Sequence, residues 1–221
     1  MCLTVHTFLL LAQGKAVLLH GKGGFFSSGA DLNTVRHIFD EDGGRRMNTL
    51  MQDNLKRFER LPFITVAVVE GKAIGGGAEI CTACDFRLMT DDSEIGFVQI
   101  RMGITAGWGG GSRLVRLIGP TKALHLLTGG RRLSAQECLS LGLVDHILHP
   151  AATTAVLQAA QDWLSQFTCF ESQPLQACKQ IVTAAKVNPL DLALEREKEV
   201  FAATWGGPAH RRAMQLNIKH K

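Results

Sequence analysis

The sequence predicts an α/β fold with a parallel sheet, closed by an all-α C-terminal segment. Three observations carry this. The first third of the chain alternates apolar strand-like runs with helical periodicities, which is the pattern of crossover units. A valine-rich run, ITVAVV, leads into the triplet Gly75-Gly76-Gly77 and then a helix-forming stretch. After Pro150 the strand-like runs stop and only helical patterns remain. The expected division is a core of residues 1–150 and a helical segment of residues 151–221.

The elements follow in order. KAVLLH (15–20) reads as a buried strand, and the glycine- and serine-dense GKGGFFSSG (21–29) as a loop. A short helical stretch runs to about Phe39, and residues 41–44 break it. From Arg45 a long helix is expected, because Met47, Leu50, Met51, Leu55 and Phe58 recur at helical spacing. Pro62 ends it, and the strand at 64–69 follows. Residues 86–89 read as a short strand, 91–93 as a turn and 95–99 as another strand. A second glycine corner, GITAGWGGGSRL, runs into a helix over 112–118, and Pro120 opens the next. Ser134 and Glu137 form a capping box for a helix to Leu141, with Gly142 behind it. Residues 143–148 read as the last strand, and helices are expected over 153–167, 174–185 and 190–201, with one more after Pro208.

Composition narrows the function. Apolar residues at 46% and charged ones at 20% fit a globular chain of 221 residues rather than a disordered one. A net charge of +4 without a Lys/Arg run, and a chain lacking tyrosine, argue against a nucleic-acid partner. The apolar patch at 8–12 lacks a basic flank and is too short to span a membrane, so no membrane partner is expected. Six scattered cysteines read as buried, reduced thiols of an intracellular protein. Cys81-x-x-Cys84 lies within a predicted helix and has no second pair, which disfavours a redox or zinc site.

Chemistry centres on the triplet. Three glycines at a helix start remove every Cβ and leave N–H groups facing a ligand, which suits an anion or a carbonyl oxygen becoming one. Close strand–helix packing is the simpler use of such glycines. A dinucleotide motif would need glycine where Ile80 stands, and no P-loop pattern occurs. Glu79 sits one turn inside the same helix.

GGFFSSGADL (23–32), EGKAIGGGAEICTACDFRL (70–88), MGITAGWGGGSRLVRLIG (102–119) and LSAQECLSLGLVDHIL (133–148), in this order and spacing, resemble the enoyl-CoA hydratase/isomerase, or crotonase, family. The resemblance begins at about Lys15 and implies a crotonase-like spiral of ββα units. It implies an acyl-CoA thioester substrate whose carbonyl lies between the N–H groups of Ala30 and Gly76, with Ser28, Asp31, Gly75 and Gly77 around it. Both hydrogen bonds strengthen as the thioester becomes an enolate. Hydratases of the family pair two glutamates across the substrate. Glu79 matches the first, but Gln99 stands at the second, and an amide is no general base.

Finer stretches resemble a decarboxylating branch of the family: Arg57-Phe58-x-Arg60-Leu61-Pro62, TACDFRLMT (82–90), the Trp108 corner and TWGGPA (204–209). This implies a cytosolic enzyme of metabolite proofreading. It would take CO₂ from ethylmalonyl-CoA, and less readily from methylmalonyl-CoA, with no cofactor beyond the CoA of the substrate. Loss of CO₂ yields an enolate without a base, given an oxyanion hole and a site that desolvates the carboxylate. Glu79 is then either the donor that returns a proton to the α-carbon or a buried structural acid. Trp108 is either a wall of the ethyl pocket or core, and Gln99 would orient the carboxylate or a water.

Members of the family carry a β-hairpin and a helix ahead of the strand at Lys15, and the fourteen residues here do not resemble them. A bare sheet edge and exposed apolar surface are therefore expected. The family's C-terminal helices imply a homotrimer or homohexamer. The alternatives are an enoyl-CoA hydratase or isomerase, and a catalytically silent CoA-binding or subunit-interaction protein.

Overall fold

The computed structural model describes the backbone of residues 8–11 and, in full, residues 14–150, 152 and 155–216. Its strands are β1 (Phe8–Leu11), β2 (Ala16–His20), β3 (Ile64–Val69), β4 (Lys72–Ile74), β5 (Phe86–Thr90), β6 (Glu94–Gly96), β7 (Arg132–Ser134) and β8 (His146–Leu148). Five of them form one sheet in the order β1-β2-β3-β5-β8, parallel except for β1 against β2. The other three form a small sheet in the order β4-β6-β7.

β3 is central and buried on both faces, which is why its sequence is continuously apolar rather than alternating. Ala67 and Val69 enter one core, which includes Met51 and Leu55 of α2 (Glu41–Glu59) and Leu114 of α4 (Gly110–Ile118). Val66 and Val68 enter a second, with Val156, Ala160 and Leu164 of α7 (Val156–Thr168). Each such valine or leucine contributes about 1.5–3 kcal/mol by leaving water.

Local structure departs from the sequence reading in several places. Residues 41–44 do not break a helix. They are the first turn of α2, because the Asp40 carboxylate caps it by accepting from Gly43 N at 2.6 Å. The three-residue strands β4 and β7 were not anticipated, since so short a run carries no periodicity. The strand expected over 95–99 ends at Gly96, and Gln99 instead opens a 3₁₀ turn, Gln99–Met102, closed by left-handed Gly103. The last strand is shorter, His146–Leu148, because Leu143 and Val144 still close the helix before it through bonds to Cys138 O. Finally, β2 is not a bare edge: β1 pairs with it from Phe8↔Leu19 to Leu11↔Ala16.

After β8 only helices follow among the described residues: α7, α8 (Ser172–Val187), α9 (Leu190–Thr204) and α10 (Pro208–Gln215). α8 is fastened to the base of the sheet by Lys179, whose ammonium pairs with Asp85 Oδ1. The other Asp85 oxygen accepts from the amide and hydroxyl of Thr65. Among the described residues, a cavity of about 920 Å³ opens beside this pair, walled by Phe86, Phe167, Phe201 and Trp205.

Candidate active site

Two glycine corners distant in sequence are in contact. The loop at 21–29 is laid along β4 by hydrogen bonds from Ser27 N to Lys72 O (3.0 Å) and from Ile74 N to Ser27 O (2.9 Å). Gly29 has φ +93°, and a Cβ added there would lie 2.8 Å from the Gly76 nitrogen. A Cβ on Gly77 would lie 2.1 Å from Ser27 O. Only residues without a side chain let these backbones approach so closely. The approach sets Ala30 beside Gly76, the first residue of α3 (Gly76–Cys81). Among the described residues, neither the Ala30 N–H nor the Gly76 N–H has a protein acceptor.

Trp108 roofs this corner. A Cβ on Gly76 would lie 2.4 Å from Trp108 Cζ3, so the indole rests directly on the glycine backbone. Trp108 is at the same time a buried core residue. Gly75 turns the chain into α3 at φ 58° and donates to Gly96 O at 2.8 Å, which ties the corner to β6.

Glu79 is buried and fully engaged. Its Oε1 accepts from Gln99 Nε2 at 2.9 Å and from Gly107 N at 3.3 Å. Its Oε2 accepts from Trp108 N at 2.7 Å and Gly110 N at 2.9 Å. Burial raises its pKa above the ordinary carboxylate value, and the four donors pull the other way. The backbone donors come from the second glycine corner. Gly110 lets that corner close on the glutamate, since a Cβ there would lie 2.4 Å from Glu79 Cγ. α2 supports that corner from outside: Gln52 Nε2 donates to Gly107 O at 2.7 Å.

Gln99 is brought beside Glu79, and its Oε1 is buried with no partner. Asp31 caps α1 (Leu32–Arg36), accepting from Thr34 N at 2.8 Å, and that bond is the main cause of its lowered pKa. Ser28 is exposed at the rim. Cys81, Cys84 and Cys138 are buried, but Cys169 and Cys178 are exposed, and α3 ends at Cys81, so Cys84 lies beyond it; desolvation raises Cys84 to about 12, so its thiolate is disfavoured.

A backbone-built corner whose two N–H groups lack a protein acceptor among the described residues suits an oxygen that gathers negative charge. The chain belongs to the enoyl-CoA hydratase/isomerase family, whose model matches residues 10–216, and its fold is crotonase-like. Among curated relatives, it is 47% identical to ethylmalonyl-CoA decarboxylase of Gallus gallus over 94% of this chain and 70% of that protein. With the Mus musculus protein of the same name the identity is 44%, over 94% of this chain and 65% of that one. The chain thus spans about two thirds of the length of these relatives. Among solved structures, an enoyl-CoA hydratase from Bacillus anthracis superposes with a TM-score of 0.83 at 28% identity, over 92% of this chain and 78% of that one. One from Thermoplasma volcanium gives 0.83 at 27%, over 93% and 80%. The match from residue 10 also extends the resemblance ahead of Lys15.

Proposed function

We propose that this chain decarboxylates ethylmalonyl-CoA, and less readily methylmalonyl-CoA, to butyryl-CoA and propionyl-CoA. The observation that carries the reading is the contact of Gly29 with Gly76, which leaves two unpaired N–H groups side by side. The thioester oxygen accepts from the N–H groups of Ala30 and Gly76. As the bond to the carboxylate carbon breaks, its electron pair moves into the thioester and negative charge gathers on that oxygen. Both hydrogen bonds shorten and strengthen at that moment, so binding free energy favours the transition state over the substrate. The apolar Trp108 ring on Gly76 shields the thioester oxygen from bulk solvent.

Gln99 at the place of a second carboxylate disfavours hydration, which needs a base for water. The relatives named ethylmalonyl-CoA decarboxylase support the substrate. No metal or organic cofactor enters the proposal, since CoA arrives with the substrate. We place the activity in the cytosol, as the resemblance to the decarboxylating branch implies. Assembly as a homotrimer or homohexamer is supported by the apolar side chains that the C-terminal segment exposes, Leu190, Phe201, Trp205 and Leu216 among them.

Purified protein given ethylmalonyl-CoA and, separately, crotonyl-CoA tests the reading. Butyryl-CoA from the first and no product from the second is expected. Hydration of crotonyl-CoA contradicts it. Folded protein that turns over neither is the silent CoA-binding version.

A further inference from the structure

Decarboxylation leaves an α-carbanion equivalent that must regain a proton, and Glu79 is poorly built to supply one. Its two oxygens offer about four lone-pair directions, and four donors occupy them. Three of the donors are backbone N–H groups, which cannot turn round and accept. A proton on either oxygen would point at a hydrogen already there. The same bonds do mechanical work. They hold Gly107, Trp108 and Gly110, and so seat the indole on Gly76.

Gln99 presents the opposite case. Its Nε2 must face the Glu79 carboxylate, because the reversed amide would set carbonyl oxygen against carboxylate oxygen. Its Oε1 is then left buried and unpartnered. An acceptor buried in this state is destabilising unless a donor reaches it. The missing partner must be a donor. That excludes the substrate carboxylate and its thioester oxygen, and it fits a water molecule.

We propose that the proton returned to the α-carbon comes from a water held on Gln99 Oε1, and that Glu79 is a positioning residue that keeps its carboxylate charged and gives up no proton. One hydrogen of the water bonds to Oε1 and the other faces the α-carbon. As the enolate collapses, its electron pair forms the new C–H bond and that O–H bond breaks. The hydroxide left behind takes a proton from bulk water, so the turnover consumes one solvent proton and releases one CO₂. This assignment rests on the decarboxylation reading and deepens it.

Turnover of ethylmalonyl-CoA in D₂O, following CO₂ and the face of the α-carbon that gains deuterium, separates the two residues. Wild-type protein should place one deuterium on one face of butyryl-CoA. Gln99→Leu should still release CO₂ at a reduced rate, but with deuterium spread evenly over both faces. Gln99→Met serves the same purpose should the leucine variant not fold. Glu79→Gln should lower kcat through a displaced Trp108, seen as a red-shifted indole emission, yet keep the deuterium on one face. Scrambling by Glu79→Gln with selectivity intact in Gln99→Leu would overturn the assignment and make Glu79 the donor. Deuterium on both faces in the wild type overturns it too, since no bound donor then exists. Wild-type protein that releases no CO₂ refutes the decarboxylation itself and the assignment with it.

Discussion

The glycine corners and the C-terminal helices solve opposite problems. At Gly29, Gly76 and Gly77 the structure works by removing side chains until backbones touch, with would-be Cβ atoms 2.1–2.8 Å from their neighbours. In α8 to α10 it does the reverse and leaves large apolar side chains in solvent: Trp205 is 66% exposed and Leu190 71%. One region closes on the chain's own backbone. The other leaves apolar surface uncovered among the described residues. Substitutions should therefore act oppositely in the two, abolishing turnover in the first and changing assembly in the second.

The largest effect is expected at Gly77→Ala. Its Cβ would meet a backbone oxygen, which cannot swing aside, so about 3 kcal/mol or more of stability should be lost in urea unfolding, with turnover. An alanine tolerated there would mean that the two corners are loosely joined. Next comes the fastening between the regions. Lys179→Met leaves the part-buried Asp85 carboxylate without its cation and should cost about 1–3 kcal/mol, while adding Asp85→Asn should recover part of the loss. Equal losses in the single and double variants would show that the pair is not coupled.

Much of the site was legible because glycines in a sequence are statements about space. The triplet, the Ser-Ser-Gly-Ala corner and the Trp108 corner were each readable alone, and their meeting was implied by resemblance. The hydrogen bonding of Glu79 was not readable. Three of its four donors are main-chain N–H groups, and no residue type advertises a main-chain donor. The helix start at Glu41 was misread for a related reason: the cap at Asp40 outweighs two glycines of low helix propensity. β4 and β7 are set by partners across the small sheet, not by their own residues. In the C-terminal segment the helices were legible from periodicity, but which of their apolar residues stay exposed was not.

Smaller effects sharpen the contrast. Trp205→Ser should change stability by no more than about 0.5 kcal/mol, because the ring is largely exposed, yet shift the assembly measured by light scattering towards smaller species. A large loss of stability in a species of unchanged size would place Trp205 in the chain's own core. The smallest effect is at Glu137, where Arg131 and Ser134 hold the pKa down at about 2 in the capping box. A lowered carboxylate pKa stabilises the fold above the ordinary value of 4.5 and loses that contribution as pH falls towards about 2. Glu137→Gln should therefore flatten this acid limb of the stability profile. An unchanged limb would show that other carboxylates govern it.

The central claim is that backbone N–H groups, and not side chains, stabilise the enolate. Replacing the amide at Gly76 by an ester, with glycolic acid in place of glycine, deletes one N–H and adds no bulk. The account predicts CO₂ release from ethylmalonyl-CoA slowed about 10²–10³-fold with KM little changed. An ester variant with wild-type kcat would contradict it.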